Sequence, residues 1–242
     1  MPEQFAPVSP DRRALLTYGS LYLAVSLVGN RGPACLPAEQ SRPNEERNEA
    51  EEISPTEDLM REHGVVLRVL VVYNAGIRAL ASGQAPAEPV AETAHLVRAF
   101  IEDYHERLEE EYLFPRFRQA NRLTELVETL KQQHATGRRL TDTVLRLSTA
   151  TALQNETNRR ELVAALQSFS RMYIPHMGHE ATVLFPAFRS IISPREFAEL
   201  GEVFENREQQ LFGEHGFERE VERIAAIQKT MGVNDLAQFT PQ

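Results

Sequence analysis

The sequence predicts an all-α fold, an up-down-up-down four-helix bundle with an additional long C-terminal helix. Three observations lead there. Apolar residues recur at three- and four-residue intervals, as in Leu59, Val66, Leu67, Leu70 and Ile77, which is the period of a helix with one buried stripe. No stretch alternates as a strand would, or sets hairpin dipeptides between β-branched runs. The chain also repeats itself. His105-Glu-Arg-Leu-Glu109, followed by Leu113-Phe114-Pro115, returns as His176-Met-Gly-His-Glu180, followed by Leu184-Phe185-Pro186, each pair 71 positions apart (176−105, 180−109, 184−113). His63 and His134 keep the same offset (134−63).

The N-terminal residues 1–38 read differently from the rest. Arg12-Arg13 precedes Ala14-Leu15-Leu16 and an uncharged apolar run to Val28, a pattern similar to a twin-arginine export signal. The run is short for a membrane span. The expectation is export to the periplasm, with a cytoplasmic or membrane-anchored protein as the alternative and membrane contact only through residues 14–28. Residues 39–53, polar and acidic with Pro43, read as a flexible linker.

From Ser54 the elements follow in order. Ser54-Pro55-Thr56-Glu57 has the form of a capping box with proline at the first helical position, opening a helix to about Ala81. Ser82-Gly83 through Pro89 breaks it, and a second helix runs from about Pro89 to Arg118. A third covers about Thr124 to Leu153 and a fourth Asn158 to Arg189. Ser193-Pro194-Arg195-Glu196 repeats the cap signature and opens the extra helix, roughly to Thr230. Residues 54–192 thus form the bundle and residues 193–242 the C-terminal helix and tail.

Composition narrows the function. A net charge of −9 with no Lys/Arg block argues against nucleic acid, whose phosphates need a basic footprint. Cys35 is the only cysteine, so no thiolate cluster can hold zinc or an iron–sulfur group. Any metal must sit on imidazole and carboxylate.

The repeated residues can meet. At about 1.5 Å per residue, His63, 20 positions before Gly83, lies roughly 30 Å from that turn, and His105, 16 positions after Pro89, roughly 24 Å up the returning helix. His134 and His176 stand at similar heights in the second hairpin, and residues four apart share a helix face, so Glu109 and Glu180 point with His105 and His176. Four imidazoles and two carboxylates would then face one interior. A lone helical histidine is ordinarily a surface or satisfied core residue, but six such residues in matching register call for another account. Buried and unpaired they are costly. Two di- or trivalent ions would absorb the charge, each Glu bridging both ions and each ion taking two His. Such mixed ligation suits iron first, with manganese or zinc after it.

His63, His105-x-x-x-Glu109, His134 and His176-x-x-x-Glu180, with Leu-Phe-Pro after each Glu, resemble the hemerythrin-like, HHE cation-binding family over about Asp58 to Arg189. The resemblance implies a non-haem di-iron centre with an oxo or hydroxo bridge, handling O2, NO or peroxide. It implies His63, His105, His134 and His176 as terminal ligands, with Glu109 and Glu180 as bridges. Oxygen-carrying hemerythrins use a fifth histidine four residues after the one on the third helix, and Arg138 stands there. That points away from reversible O2 storage and toward peroxide or NO chemistry, or iron traffic. The alternative is a module that holds O2, NO or iron without turnover, or donates iron to damaged metal centres; the cysteine-bearing N-terminal module of repair-type members is absent here.

A rival di-metal pattern, the Glu-x-x-His pairs of ferritin-like proteins, is spelled by Glu92/His95 and Glu102/His105, but Val163 and Tyr173 replace both glutamates 71 residues later. Glu102 instead reads as a partner behind His105. Tyr104, Tyr112, Tyr173 and Glu106 are the acid–base candidates. His179 and His95 read as surface or supporting residues, and His215, between Gly213 and Gly216, as part of a segment that caps the bundle.

Overall fold

A computed structural model describes residues 53–241. The export reading on residues 1–38 and the linker reading on residues 39–53, save Ile53, lie outside the described residues. Six helical rods follow in chain order. α1 spans Pro55–Ala81. α2 is continuous through Ala87–Leu96, Val97–His105, Glu106–Leu108, Glu109–Leu113 and Phe114–Gln119. α3 spans Thr124–Leu147, and α4 runs through Glu156–His179, Glu180–Leu184 and Phe185–Phe188. α5 spans Pro194–Phe212 and α6 Gly216–Thr230. Each of α1 to α4 packs against two of the others, α1 on α2, α2 on α3, α3 on α4 and α4 on α1, closing the bundle.

The single long C-terminal helix expected from sequence is two helices. Gly213 takes φ +73° and His215 φ +61°, left-handed backbone that no continuous helix admits. A Cβ on Gly216 would collide with Phe212 and Glu208. α6 folds back on α5 and lies along α1 and α2, where Phe212 packs on Phe100 and Tyr104, and Phe217 on Phe100.

The two cap signatures behave differently. At α5 the Ser193 hydroxyl accepts from the Glu196 amide at 3.1 Å. At α1 the Ser54 side chain makes no capping bond, and the Ser54 carbonyl accepts from the Glu57 and Asp58 amides at 2.9 Å. The α1 stripe also differs from expectation. Val65, Val66, Val69, Leu70, Val72 and Tyr73 are buried, whereas Leu67 is 55% exposed and Ile77 only partly covered. One residue beyond Val66 turns about 100° around the helix, which carries Leu67 off the buried face.

Two π-helical segments follow the repeated motif. In Glu109–Leu113 the Phe114 amide bonds the Glu109 carbonyl, and in Glu180–Leu184 the Phe185 amide bonds the Glu180 carbonyl. Each wide turn immediately precedes the Phe-Pro pair. A proline in a helix has no N–H to give and its ring crowds the carbonyl four residues back, so a wider turn relieves the crowding at Pro115 and Pro186. A third π segment, Val97–His105, carries Glu102 and His105 on α2.

Large aromatics fill the layers on either side of these turns. Tyr73, Phe100, Phe114, Phe117, Phe169, Phe185 and Phe188 are each almost wholly buried and contribute about 1.5–3 kcal/mol apiece. Gly137 lets Tyr173 in, since a Cβ there would overlap the Tyr173 hydroxyl. Gly137→Ala is therefore expected to destabilise by about 1–3 kcal/mol. Gly64, also mid-helix but with open space around it, gives the opposite sign: Gly64→Ala gains about 0.5–1 kcal/mol. Denaturant unfolding of both variants measures the two effects on one scale.

Candidate metal centre

All six residues singled out from the repeat come together in the bundle. His63 is on α1, His105 and Glu109 on α2, His134 on α3, and His176 and Glu180 on α4; all are buried. They form two overlapping sets whose donor atoms lie within 4.8 Å of one another: His63, His105, Glu109 and Glu180 in one, and Glu109, His134, His176 and Glu180 in the other. Both glutamates belong to both sets. Their oxygens divide accordingly. Glu109 Oε1 lies 4.0 Å from His105 Nε2 and its Oε2 3.4 Å from His134 Nε2. Glu180 Oε2 lies 3.3 Å from His63 Nε2 and its Oε1 3.0 Å from His176 Nε2.

Polar side chains fix the outer edges of three of the four rings. His105 Nδ1 donates to Glu62 Oε2 at 2.6 Å, His134 Nδ1 to Glu110 Oε1 at 3.0 Å and His176 Nδ1 to Gln133 Oε1 at 2.9 Å. These acceptors keep a proton on Nδ1 and turn Nε2 inward, where it can serve as a ligand atom. Glu62 and Gln133 are themselves 71 positions apart, each immediately before a repeated histidine. That adjacency was the available signal for them, and sequence reasoning passed over it. Phe114 stacks on His134 with ring centroids 5.5 Å apart, and Phe185 on His63 at 5.6 Å, so each repeat covers the other's first imidazole.

Glu102, expected behind His105, is not its partner. It accepts from Thr141 Oγ1 at 2.5 Å and pairs with Arg98 at 3.0 Å. A π-helical backbone from Val97 to His105 spoils the one-turn spacing on which that expectation rested. His95 and His179 are exposed, the latter donating from Nδ1 to the Pro175 carbonyl at 2.7 Å. His215 is exposed in the turn between α5 and α6. Glu92 is exposed too, so the ferritin-like pairs gather nothing.

Arg138 turns its guanidinium to Glu106 at 2.8 Å and Glu110 at 2.9 Å. The Tyr173 hydroxyl donates to Glu106 Oε1 at 2.6 Å. Of the acid–base candidates, Tyr173 and Glu106 therefore stand together behind His134 and His176. Tyr112 packs on Phe204 instead, with ring centroids 5.8 Å apart.

The electrostatics show a strained set of bare groups. Burial, reinforced by Glu180, holds Glu109 well above the usual carboxylate range. Burial acts on Glu180 in the same sense, but His176 and His63 outweigh it and pull it below that range. His105 is pushed down to about 4, chiefly by burial. His134 is held well above an ordinary imidazole because Glu106, Glu109 and Glu110 together overcome burial. Opposite shifts on two facing carboxylates are what like charges produce when only one of them can ionise freely. A cation removes that conflict. The buried atoms without hydrogen-bond partners here are His63 Nε2, His134 Nε2 and both oxygens of Glu109 and Glu180. Such atoms are ligands in waiting, since unpaired buried polar groups are otherwise destabilising.

Comparison with known proteins agrees with this geometry. The model of the hemerythrin HHE cation-binding domain matches residues 54–188, and the chain belongs to that family. An uncharacterized protein of Mycobacterium bovis and two from strains of Mycobacterium tuberculosis are each 40% identical to it over 240 residues, which is 99% of this chain and 94% of theirs. No solved structure matches. Membership implies a bound metal, commonly iron, and the buried imidazole and carboxylate donors fit one.

Glu102 gives a pH test of the surrounding charge network. Burial raises it to about 7, with Thr141 opposing. Its folded value lies above its unfolded one, so its contribution is full below about pH 4.5 and is lost as pH rises through about 7. Glu102→Gln should accordingly be more stable than wild type by a margin that grows from pH 5 to pH 7 and levels off above pH 8. Thermal melts across that range read the margin directly.

Proposed function

We propose that the chain is a non-haem di-iron protein that binds or processes O2, peroxide or NO at a centre held by His63, His105, His134, His176, Glu109 and Glu180. The observation that supports it most is the division of the glutamate oxygens. Each carboxylate presents one oxygen to an imidazole of its own hairpin and the other to an imidazole across the bundle, so that Glu109 and Glu180 would each be shared between two ions held by the two imidazole pairs. Manganese or zinc would meet the same donors, and iron is preferred for the mixed nitrogen and oxygen set.

Bound iron would supply the redox chemistry and the positions for a small ligand; the chain supplies the rest. Glu62, Glu110 and Gln133 hold protons on the outer nitrogens of three imidazoles and turn the inner nitrogens toward the centre. Phe114 and Phe185 close the layer and exclude water. Glu106 accepts a hydrogen bond from the Tyr173 hydroxyl, and its other oxygen pairs with Arg138 4.0 Å from His134 Nδ1, which fixes this cluster behind the His134 ring. With Arg138 committed to Glu106 and Glu110, no fifth imidazole fills the position used by oxygen-carrying relatives. This favours peroxide or NO processing over reversible O2 carriage, and makes storage, sensing or iron donation the second reading. Arg12-Arg13 and the apolar run after it support an exported protein, where external reactive species would be the substrates.

The full-length chain, expressed with iron supplied, should hold two irons and show a diferric absorption spectrum. His63→Ala and Glu109→Ala should each lose both. Chelation should destabilise the wild type by about 3–4 kcal/mol, the linkage expected when free metal stands at 100 to 1,000 times its dissociation constant. Evolution of O2 from peroxide, or consumption of NO, selects the enzyme; reversible spectral change without turnover selects the binding module. A stable chain that takes up no metal defeats the proposal.

A further inference from the structure

Behind His105, on the side away from the candidate centre, a second group of carboxylates converges. Asp58 and Glu62 stand one turn apart on α1 and Glu208 comes from α5, with oxygens within 4.8 Å of one another. Glu62 is fully buried. Its Oε2 accepts from His105, while its Oε1 has no hydrogen-bond partner. The buried Tyr104 hydroxyl lies beside the same carboxylates, with Glu62 as its polar neighbour. Glu208 is held in place because its Oε1 accepts from the Phe217 amide at 2.7 Å, at the start of α6.

The positive charge nearby is meagre. Arg61 reaches Asp58 at 3.4 Å and Glu218 at 3.9 Å, but its guanidinium also lies over the Phe217 ring, 4.3 Å from the centroid. Among the described residues, Arg61 is the one arginine or lysine that pairs with any of these three carboxylates. Asp58 and Glu208 also line a cavity of about 860 Å³ between the start of α1, α5 and the turn into α6. Its walls also carry Glu202, Glu205, Glu214 and Glu218 against Arg61 and Arg189, a net negative lining that favours cations.

We propose that Asp58, Glu62 and Glu208 form a second cation site, for a hard divalent ion such as Mn2+, reached through this acidic cavity. The all-oxygen donor set distinguishes it from the imidazole-rich centre, since carboxylates suit Mg2+, Ca2+ and Mn2+. Glu62 would join the two sites, giving one oxygen to the ion and keeping the other on His105 Nδ1. The inference stands on these three residues and does not depend on what the His/Glu centre holds.

The test is Mn2+ binding to the full-length chain, followed by loss of the free-ion EPR signal. Because Mn2+ could also enter the His/Glu centre, binding is measured in iron-loaded wild type and in Glu109→Ala. One Mn2+ per chain is expected in both. Asp58→Asn and Glu208→Gln should each weaken it by roughly 10-fold or more, as affinity follows ligand charge. Gln can still accept from the Phe217 amide, so Glu208→Gln keeps the turn, and circular dichroism confirms the fold. Glu202→Gln, on the cavity wall, should change affinity by less than about 3-fold. Absence of Mn2+ binding in both proteins, or equal binding by the Asp58→Asn/Glu208→Gln double variant, overturns the second site. Loss of iron with retained Mn2+ binding in Glu109→Ala separates this inference from the di-iron proposal.

Discussion

Two carboxylates face each other in the middle of a protein core. Glu109 and Glu180 are completely buried, and neither finds a hydrogen bond that satisfies its oxygens. A charge so placed is tolerated only when something of opposite sign accompanies it, and much else in the bundle follows from that. Four imidazoles ring the pair, each turned so that its Nε2 faces a carboxylate oxygen. The layers above and below are built of buried aromatic rings, an apolar setting that strengthens the electrostatic interactions inside. The wide turns after Glu109 and Glu180 set the two glutamates into the layer and accommodate the prolines that follow.

The inner set is close to symmetric and its surroundings are not. The two halves match at His63 and His134, at His105 and His176, at Glu109 and Glu180, at Phe114 and Phe185, and at Glu62 and Gln133. Departures begin one step further out. Glu110, which accepts from His134, has Ala181 as its counterpart 71 positions on, and Arg138 corresponds to Leu67 (138−71), which faces solvent. Only the His134 side is therefore backed by the Glu106, Glu110, Arg138 and Tyr173 cluster. Only the His105 side is backed by Asp58, Glu62 and Glu208. One side is thus closed by a fixed guanidinium, and the other opens toward an acidic cavity.

Much of this was legible in the sequence, for identifiable reasons. Four helices could be read because apolar period, proline at helix starts and breaks at Gly83 and near Leu153 all agree with one another. The six inner residues could be read because duplication wrote them twice. What escaped was set by backbone detail or by distant partners. The π segments leave no mark in a 3.6-residue period, although Leu-Phe-Pro repeated after each Glu was their trace. Gly213 and Gly216 marked a weak point in the C-terminal helix, but the full break there depends on the positive φ of Gly213 and His215. Glu102 was misassigned because one-turn spacing assumes a regular helix. Arg138 was noticed for the histidine it replaces, but its pairing with Glu106, 32 positions away (138−106), is a tertiary fact.

The lacing of the two hairpins bears on how the molecule comes together. Helices α1 and α2 own two imidazoles and a single carboxylate; α3 and α4 own the same. The ring that shields His63 comes from α4 and the ring that shields His134 from α2. A nascent chain that has folded only its first hairpin thus holds an open half-set, with one wall missing and one carboxylate short. The donor layer is complete only where α4 lies against α1. A full donor set is therefore a property of the closed bundle and of neither hairpin alone.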